Sequence, residues 1–294
     1  MNSQKKVIDG VLLLDKPEGL SSAGLVSKVK KALNAKKVGH AGTLDPFATG
    51  LMVICLGKAT KLSNFFLNDN KTYIAELELG KETDTQDIEG TVINSCTDFS
   101  ISEKKLTETI NKFVGEQKQI PPVYSALKHK GVPLYKLARS GKPVVKPPRD
   151  INVFYINLLQ YESPTVILEI SCSKGTYIRT LCTDIGKALG CYGFLRNLRR
   201  TFASGFYLKN STTLSDLSED KIIDMTETLN DLEEVRVDVT LAKKIANGVQ
   251  LTQDDITWEN YDKPLKIVHL DRLIAIIEKK DREIKYNYCC VFNY

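Results

Sequence analysis

Short apolar runs set off by charged and polar stretches carry most of the structural signal in this chain. Val11, Leu12, Leu13 and Leu14 form a run that reads as a buried strand. Leu25, Val26, Val29 and Leu33 follow at helical spacing behind a plausible cap at Ser21 or Ser22. A Gly-rich turn over 39–50 leads to a second buried strand at 51–56. Residues 73–79 alternate, with Tyr73, Ala75, Leu77 and Leu79 on one face and Glu76 and Glu78 on the other, which predicts a half-exposed strand. Ser102 can cap an amphipathic helix bearing Leu106, Ile110 and Phe113. Val166, Leu168, Ile170 and Cys172 alternate again, and Ile178, Leu181, Ile185 and Leu189 mark a helix that Gly190 can end. The last residues are short and mixed, with strand-like runs at 264–269 and 273–277. They predict a main domain over 1–235 and a small β-rich one over 236–294.

Composition narrows the class. The 294 residues can bury a sizeable core, and 42% hydrophobic with 26% charged residues suits an ordinary globular fold. No apolar stretch approaches the ~20 residues that span a bilayer. The opening MNSQKKVIDG lacks the apolar core of a secretory signal, so the expected location is cytoplasmic. Seven cysteines without a CxxC pair predict neither a disulfide framework nor a zinc site. Three scattered histidines make a metal centre or a Ser/His/Asp triad hard to build, so no metal is expected.

The net charge of +5 is modest but segregated. Residues 119–149 hold no acid against five Lys and two Arg, with six of the ten prolines, whereas 216–238 hold nine acids against two bases. A long basic, Pro-rich stretch reads as a functional loop or mobile insertion, and its charge suits a polyanion such as nucleic acid. A merely solvated loop is the plainer alternative. The predicted first helix carries Lys28, Lys30, Lys31, Lys36 and Lys37 on or just beyond its polar side.

In the run VGHAGTLDPFATG, glycines permit unusual backbone conformations and Pro46 biases Asp45 away from the helical region. A carboxylate held on such a turn can serve as nucleophile or base, although Asp-Pro also simply begins turns. Arg179 falls in the first turn of a helix, where a cation meets the positive end of the dipole unless an anion lies close by. Tyr73 and Tyr177 offer faces on which a base could stack, or are core aromatics. Arg196, Arg199 and Arg200 form a cluster suited to phosphates.

At GHAGTLDPFATGL the chain resembles the TruB family of tRNA pseudouridine synthases. The likeness continues, in the family's order, through LLLDKPEGLSS, KTYIAELELGKETDTQDIEG, QIPPVYSALKHKGVPLYKLARSGKPV, CSKGTYIRTLCTDIGKALG and LRNLRRTFASGF. It implies an α+β pseudouridine synthase fold with a mixed, mostly antiparallel sheet, a large basic insertion over 119–149 that clamps RNA, and a small PUA-like C-terminal domain. It implies isomerisation of a T-loop uridine of tRNA without a cofactor. A monomer is the default expectation, with no obligate protein partner and, from the composition, no membrane association. Asp45 matches the catalytic aspartate, Arg179 the arginine paired with it, and Tyr73 the tyrosine that stacks on the target base. Tyr177 and Leu198 correspond to pocket residues, and His40 to a histidine that fills the space the flipped base vacates. Lys16 and Pro17 fit a pair that supports the active-site region, and Lys16 is counted among the substrate-binding residues. Lys128, Lys130 and Arg139 of the insertion, with Arg199 and Arg200, are expected to meet tRNA. Where many members carry a histidine, this chain has Phe194, after Cys191, Tyr192 and Gly193. A non-catalytic tRNA-binding protein or tRNA-folding chaperone would use the basic surfaces alone, and a synthase working in a guide-RNA complex would share the catalytic residues.

Overall fold

The computed structural model describes residues 5–258, 263–279 and 285–292. The apolar run at the start becomes β1 (Gly10–Lys16), and the helical spacing behind it becomes α1 (Ser22–Ala32), capped by the Ser21 hydroxyl on the Gly24 amide at 3.1 Å. The Gly-rich segment that follows is not one turn. It contains a short strand, β2 (Val38–His40), hydrogen-bonded to β3 (Thr49–Leu56), and the turn proper is 41–48. Of the three glycines there, only Gly42 and Gly50 take positive φ, at 109° and 102°. A Cβ at Gly50 would strike the Arg200 backbone, so this position admits only glycine.

A short helix α2 (Ser63–Leu67) leads into β4 (Lys71–Leu79), then into the hairpin β5 (Lys81–Thr83) and β6 (Val92–Ser95). Helix α3 (Glu103–Asn111) precedes β7 (Gly115–Gln119). The basic insertion carries a small hairpin, β8 (Lys128–His129) with β9 (Val132–Pro133), and a short helix α4 (Leu134–Arg139) whose Leu134 is fully buried. It is therefore a folded element anchored by its own apolar residues. The chain returns through β10 (Arg149–Glu162), β11 (Thr165–Cys172), α5 (Ile178–Leu189), β12 (Gly193–Ala203) and β13 (Phe206–Tyr207). Gly190, at φ 82°, ends α5 in the left-handed region.

The main sheet runs β1-β3-β12-β4-β11-β10-β7, with β2 beside β3 and β13 beside β12. Every pairing is antiparallel except β3 with β12. Helices α1, α3 and α5 pack one face through Leu25, Val29, Leu106, Ile110, Leu181 and Ile185. Each such side chain contributes roughly 1.5–3 kcal/mol on burial. Strand β4 departs from its half-exposed reading. It lies between β12 and β11, and Glu76 and Glu78 on its polar face are matched by Arg196, at 3.4 and 2.6 Å. The alternation marks a real second face, but one closed by ion pairs.

The remaining elements are β14 (Glu234–Arg236), α6 (Val239–Ala246), β15 (Leu265–His269), β16 (Arg272–Glu278) and β17 (Asn287–Val291). The four strands form a separate sheet in the order β14-β15-β16-β17. Leu273, Ile276, Cys290 and Phe292 of this unit share a core cluster with Val11, Leu13, Val53 and Phe66, so it packs on the face of the main sheet away from α1 and α5.

Candidate active site

The turn 41–48 is fixed from four sides. Leu44, Phe47 and Ala48 insert into the core, the Ser22 hydroxyl bonds both the Leu44 carbonyl and the Leu44 amide at 2.9 Å, and the Gly19 amide donates to the Pro46 carbonyl at 2.9 Å. The fourth tie is Lys16, whose buried ammonium donates to the carbonyls of Pro46, Pro17 and Leu20 at 3.1, 2.9 and 2.6 Å. Burial lowers its pKa to about 8, while nearby Asp45 favours the charged form. Lys16 is thus a support of the turn and is removed from the substrate-binding set, because its donors are spent on backbone.

Asp45 leaves this turn with its side chain 35% exposed. Facing it is Arg179, the second residue of α5 and 4% exposed. Its Nε lies 3.0 Å from Asp45 Oδ2, an ion pair without hydrogen-bond alignment. The aligned bonds go elsewhere: Nη1 donates to Asp87 Oδ2 at 2.9 Å and to the Thr85 carbonyl at 3.1 Å, and Nη2 to the Tyr124 carbonyl at 2.9 Å. Asp87 is itself locked, 3% exposed, accepting from the Thr85 hydroxyl at 2.6 Å and the Glu89 amide at 3.1 Å. The cation at the helix start therefore has two carboxylate partners. The catalytic candidate is held by charge, with its carboxylate still part-exposed.

Burial raises the Asp45 pKa above the usual carboxylate range, with Arg179 and Lys16 acting against it and Asp87 adding to it. Glu89 is raised as well, by burial first and then by Asp87 and Asp45, with Arg139 and Arg179 opposing. Arg139, exposed at the end of α4, thus acts on Glu89.

Tyr73 on β4 is 7% exposed, and burial pushes its phenol up to about 12, so it stays protonated at neutral pH. Leu198 lies in the same apolar cluster. Tyr177, half-buried, is the residue before α5 and carries the Arg149 guanidinium 4.6 Å from its ring centroid. His40 ends β2, its pKa lowered by burial and by Arg200, and its buried Nδ1 has no hydrogen-bond partner among the described residues. Lys128 and Lys130 are exposed on the β8–β9 hairpin and form no ion pair among the described residues.

Of the arginines after α5, Arg200 requires correction. Arg200 is 1% exposed, donating to the Leu51 carbonyl at 2.7 Å and the Gly42 carbonyl at 3.4 Å, so it braces the catalytic turn and reaches no surface phosphate. Arg199 points the other way and pairs with Asp15 through two contacts, 2.6 and 3.2 Å. Arg196 is held by Glu76 and Glu78. Arg199 and Arg196 stay part-exposed within these ion pairs, at 42% and 50% of their side chains. The sequence reading also missed Asp87 as a partner of Arg179. It lies inside the quoted run KTYIAELELGKETDTQDIEG, with no periodicity to single it out. Among the described residues no three His, Cys, Asp or Glu side chains are grouped to hold a metal, and no helix is long and apolar enough to cross a membrane.

The sequence matches the profile of the TruB family pseudouridylate synthase N-terminal domain over residues 30–178 and that of the tRNA pseudouridylate synthase B C-terminal domain over 179–242. The tRNA pseudouridine synthase B of Bordetella avium (strain 197N) is 50% identical over 212 residues, 71% of this chain and 87% of its own length. That of Francisella philomiragia is 39% identical over 286 residues, 95% of this chain and 93% of its own. Among solved structures, a crystal structure of a Cbf5–Nop10–Gar1 complex superposes with a TM-score of 0.76 at 26% identity, covering 97% of this chain and 85% of that one. A carboxylate and arginine meeting on a braced turn, on this sheet and with these relatives, place the chain in the TruB family of pseudouridylate synthases.

Proposed function

We propose that this chain is an isomerase that converts the T-loop uridine 55 of tRNA to pseudouridine, with Asp45 as the essential carboxylate. The observation that carries the assignment is the 3.0 Å approach of Arg179 to Asp45 on a turn that Lys16, Ser22 and Arg200 brace. The substrate uridine must leave the loop's stack to reach that carboxylate, at a cost of a few kcal/mol that stacking on Tyr73 and phosphate contacts offset. The N1–C1′ bond breaks, the base turns, and C5–C1′ forms while the C5 proton departs and N1 gains one. Every atom of the product comes from the substrate and water, so the balance needs no redox partner or group donor.

In this reading Tyr177 and Leu198 line the base pocket and His40, a neutral imidazole, occupies the space the base vacates. Lys128, Lys130 and Arg139 clamp the stem-loop backbone. The catalytic domain, expected over 1–235, ends just before β14, and β14 to β17 with α6 form the PUA-like unit, which assists RNA binding. The enzyme works in the cytoplasm as a monomer, without an obligate protein partner. Digestion of treated tRNA transcript to nucleosides, with chromatographic detection of pseudouridine, tests the reading. Pseudouridine should form on the native T loop and be absent when the target uridine is replaced by cytidine; tight binding with no pseudouridine would favour a non-catalytic tRNA-binding role.

A further inference from the structure

Both roots of the 119–149 insertion converge on one residue, Tyr177. Gln119, the last residue of β7 and 4% exposed, pairs in register with Arg149, the first of β10. The Gln119 side-chain amide makes two bonds to the Tyr177 backbone: Oε1 accepts from its amide at 2.8 Å, and Nε2 donates to its carbonyl at 3.0 Å. Only a side chain with a donor and an acceptor at this reach can do both; Glu lacks the donor and Asn is a methylene short. Arg149 stacks on the ring of the same tyrosine. It fits because Gly175, at φ 83°, has no Cβ, which would otherwise sit 3.2 Å from the Arg149 guanidinium carbon. Ser173 adds a third tie, its amide donating to the Asn152 carbonyl and its hydroxyl accepting from the Asn152 amide, each at 2.8 Å.

Tyr177 is the cap position of α5, yet its own side chain makes no capping bond. The start of the helix is therefore held from outside, by the insertion's roots, and Arg179 follows two residues later. The insertion also grips Arg179 directly through the Tyr124 carbonyl. Because the Arg179–Asp45 contact is unaligned, a small displacement of the helix start alters it before it alters the bonds to Asp87.

We propose that Gln119 is a positioning residue for the reaction: by fixing the Tyr177 peptide from the root of the RNA clamp, it holds Arg179 against Asp45 and ties the seating of the insertion to the catalytic carboxylate. The proposal rests on the function given above. Its test is single-turnover conversion of a full-length tRNA transcript, labelled with tritium at uridine C5, by the full chain carrying Gln119→Ala or the isosteric Gln119→Glu.

For Gln119→Ala the rate should fall about 30-fold, with the tRNA Kd within about threefold of wild type. The acid limb of the pH–rate profile should move to higher pH. The charges facing Asp45 are Arg179 from α5, Asp87 and Glu89 from the 84–90 turn and Lys16 from β1, and the substitution leaves all of them in the chain. A shifted limb therefore reports a loosened Arg179, which a merely structural defect would not produce. Gln119→Glu should lose rate likewise with Kd little changed, and it decides the matter on those two readouts if thermal melting finds Gln119→Ala unfolded, because its new carboxylate can itself move the limb. A wild-type rate and limb in a folded variant, or a loss confined to Kd, overturns the role of Gln119. An inactive wild-type chain in the same assay overturns the underlying function instead, and the proposal with it.

Discussion

The network around Arg179 and the basic hairpin of the insertion are both rich in charge, but they are built on opposite terms. Arg179 and Asp87 are 4% and 3% exposed, and Nη1 and Nη2 of the guanidinium donate to acceptors within 3.1 Å while Nε faces Asp45 at 3.0 Å. Lys128 on β8 and Lys130 in the two-residue turn that follows stand in solvent. The first arrangement is organised before substrate arrives, so its value lies in orientation and charge in a poorly solvated site. The second is worth little until phosphate replaces water and counterions. Chemistry and affinity should accordingly separate under mutation.

The largest effect within the network should come from Arg179→Met. It leaves Asp45 and Asp87 facing each other without their shared cation, and removing one member of a buried ionic group typically costs about 3–5 kcal/mol. Single-turnover rate should drop by about 10³-fold, and the midpoint of chemical denaturation should fall. Because Arg179 lowers the Asp45 pKa and burial and Asp87 raise it, whatever activity remains should lose its acid limb at higher pH.

Asp87→Asn should act in the opposite sense on that limb. It removes a like charge, so Asp45 ionises at lower pH, and the limb moves down even as looser placement of Arg179 slows the reaction by about 10²-fold. A limb that moves upward in Asp87→Asn would show that Asp87 matters to Asp45 only through Arg179.

Arg200→Met sharpens the contrast from the structural side. It should cost about 2–4 kcal/mol in denaturant unfolding, because the Leu51 and Gly42 carbonyls lose their donor. The salt dependence of tRNA binding should stay unchanged; a reduced slope would return Arg200 to the RNA interface. The smallest effect belongs to Lys128→Ala with Lys130→Ala. Binding should weaken several-fold, with the slope of log K against log salt shallower by about 1.5, and the rate at saturating enzyme should be unaffected.

Much of this architecture was legible in the residues. Periodicity located β1, α1, β11 and α5, and Ser21, Ser102 and Gly190 marked helix ends where the caps in fact lie. Two neighbouring arginines show where such reading stops. Arg199 and Arg200 are the same residue type in the same strand, and β12 sends one outward to Asp15 and the other into the core beneath Gly42. Register shifts at 195–197 and 200–202 break the simple alternation that would have told them apart. Asp87 was hidden for a different reason. Its partner lies 92 residues away, and a polar residue in a hairpin turn carries no local sign of burial. The polar face of β4 misled because an alternating pattern cannot distinguish carboxylates in water from carboxylates paired to Arg196.

The most direct test of the account sets Asp45→Asn beside wild type and follows tritium release from C5-labelled tRNA under single turnover, with tRNA binding measured on the same preparations. The account predicts release slowed by about 10⁴-fold or more, with Kd within a few-fold of wild type. Release at a rate near wild type in a variant that binds tRNA normally would contradict it.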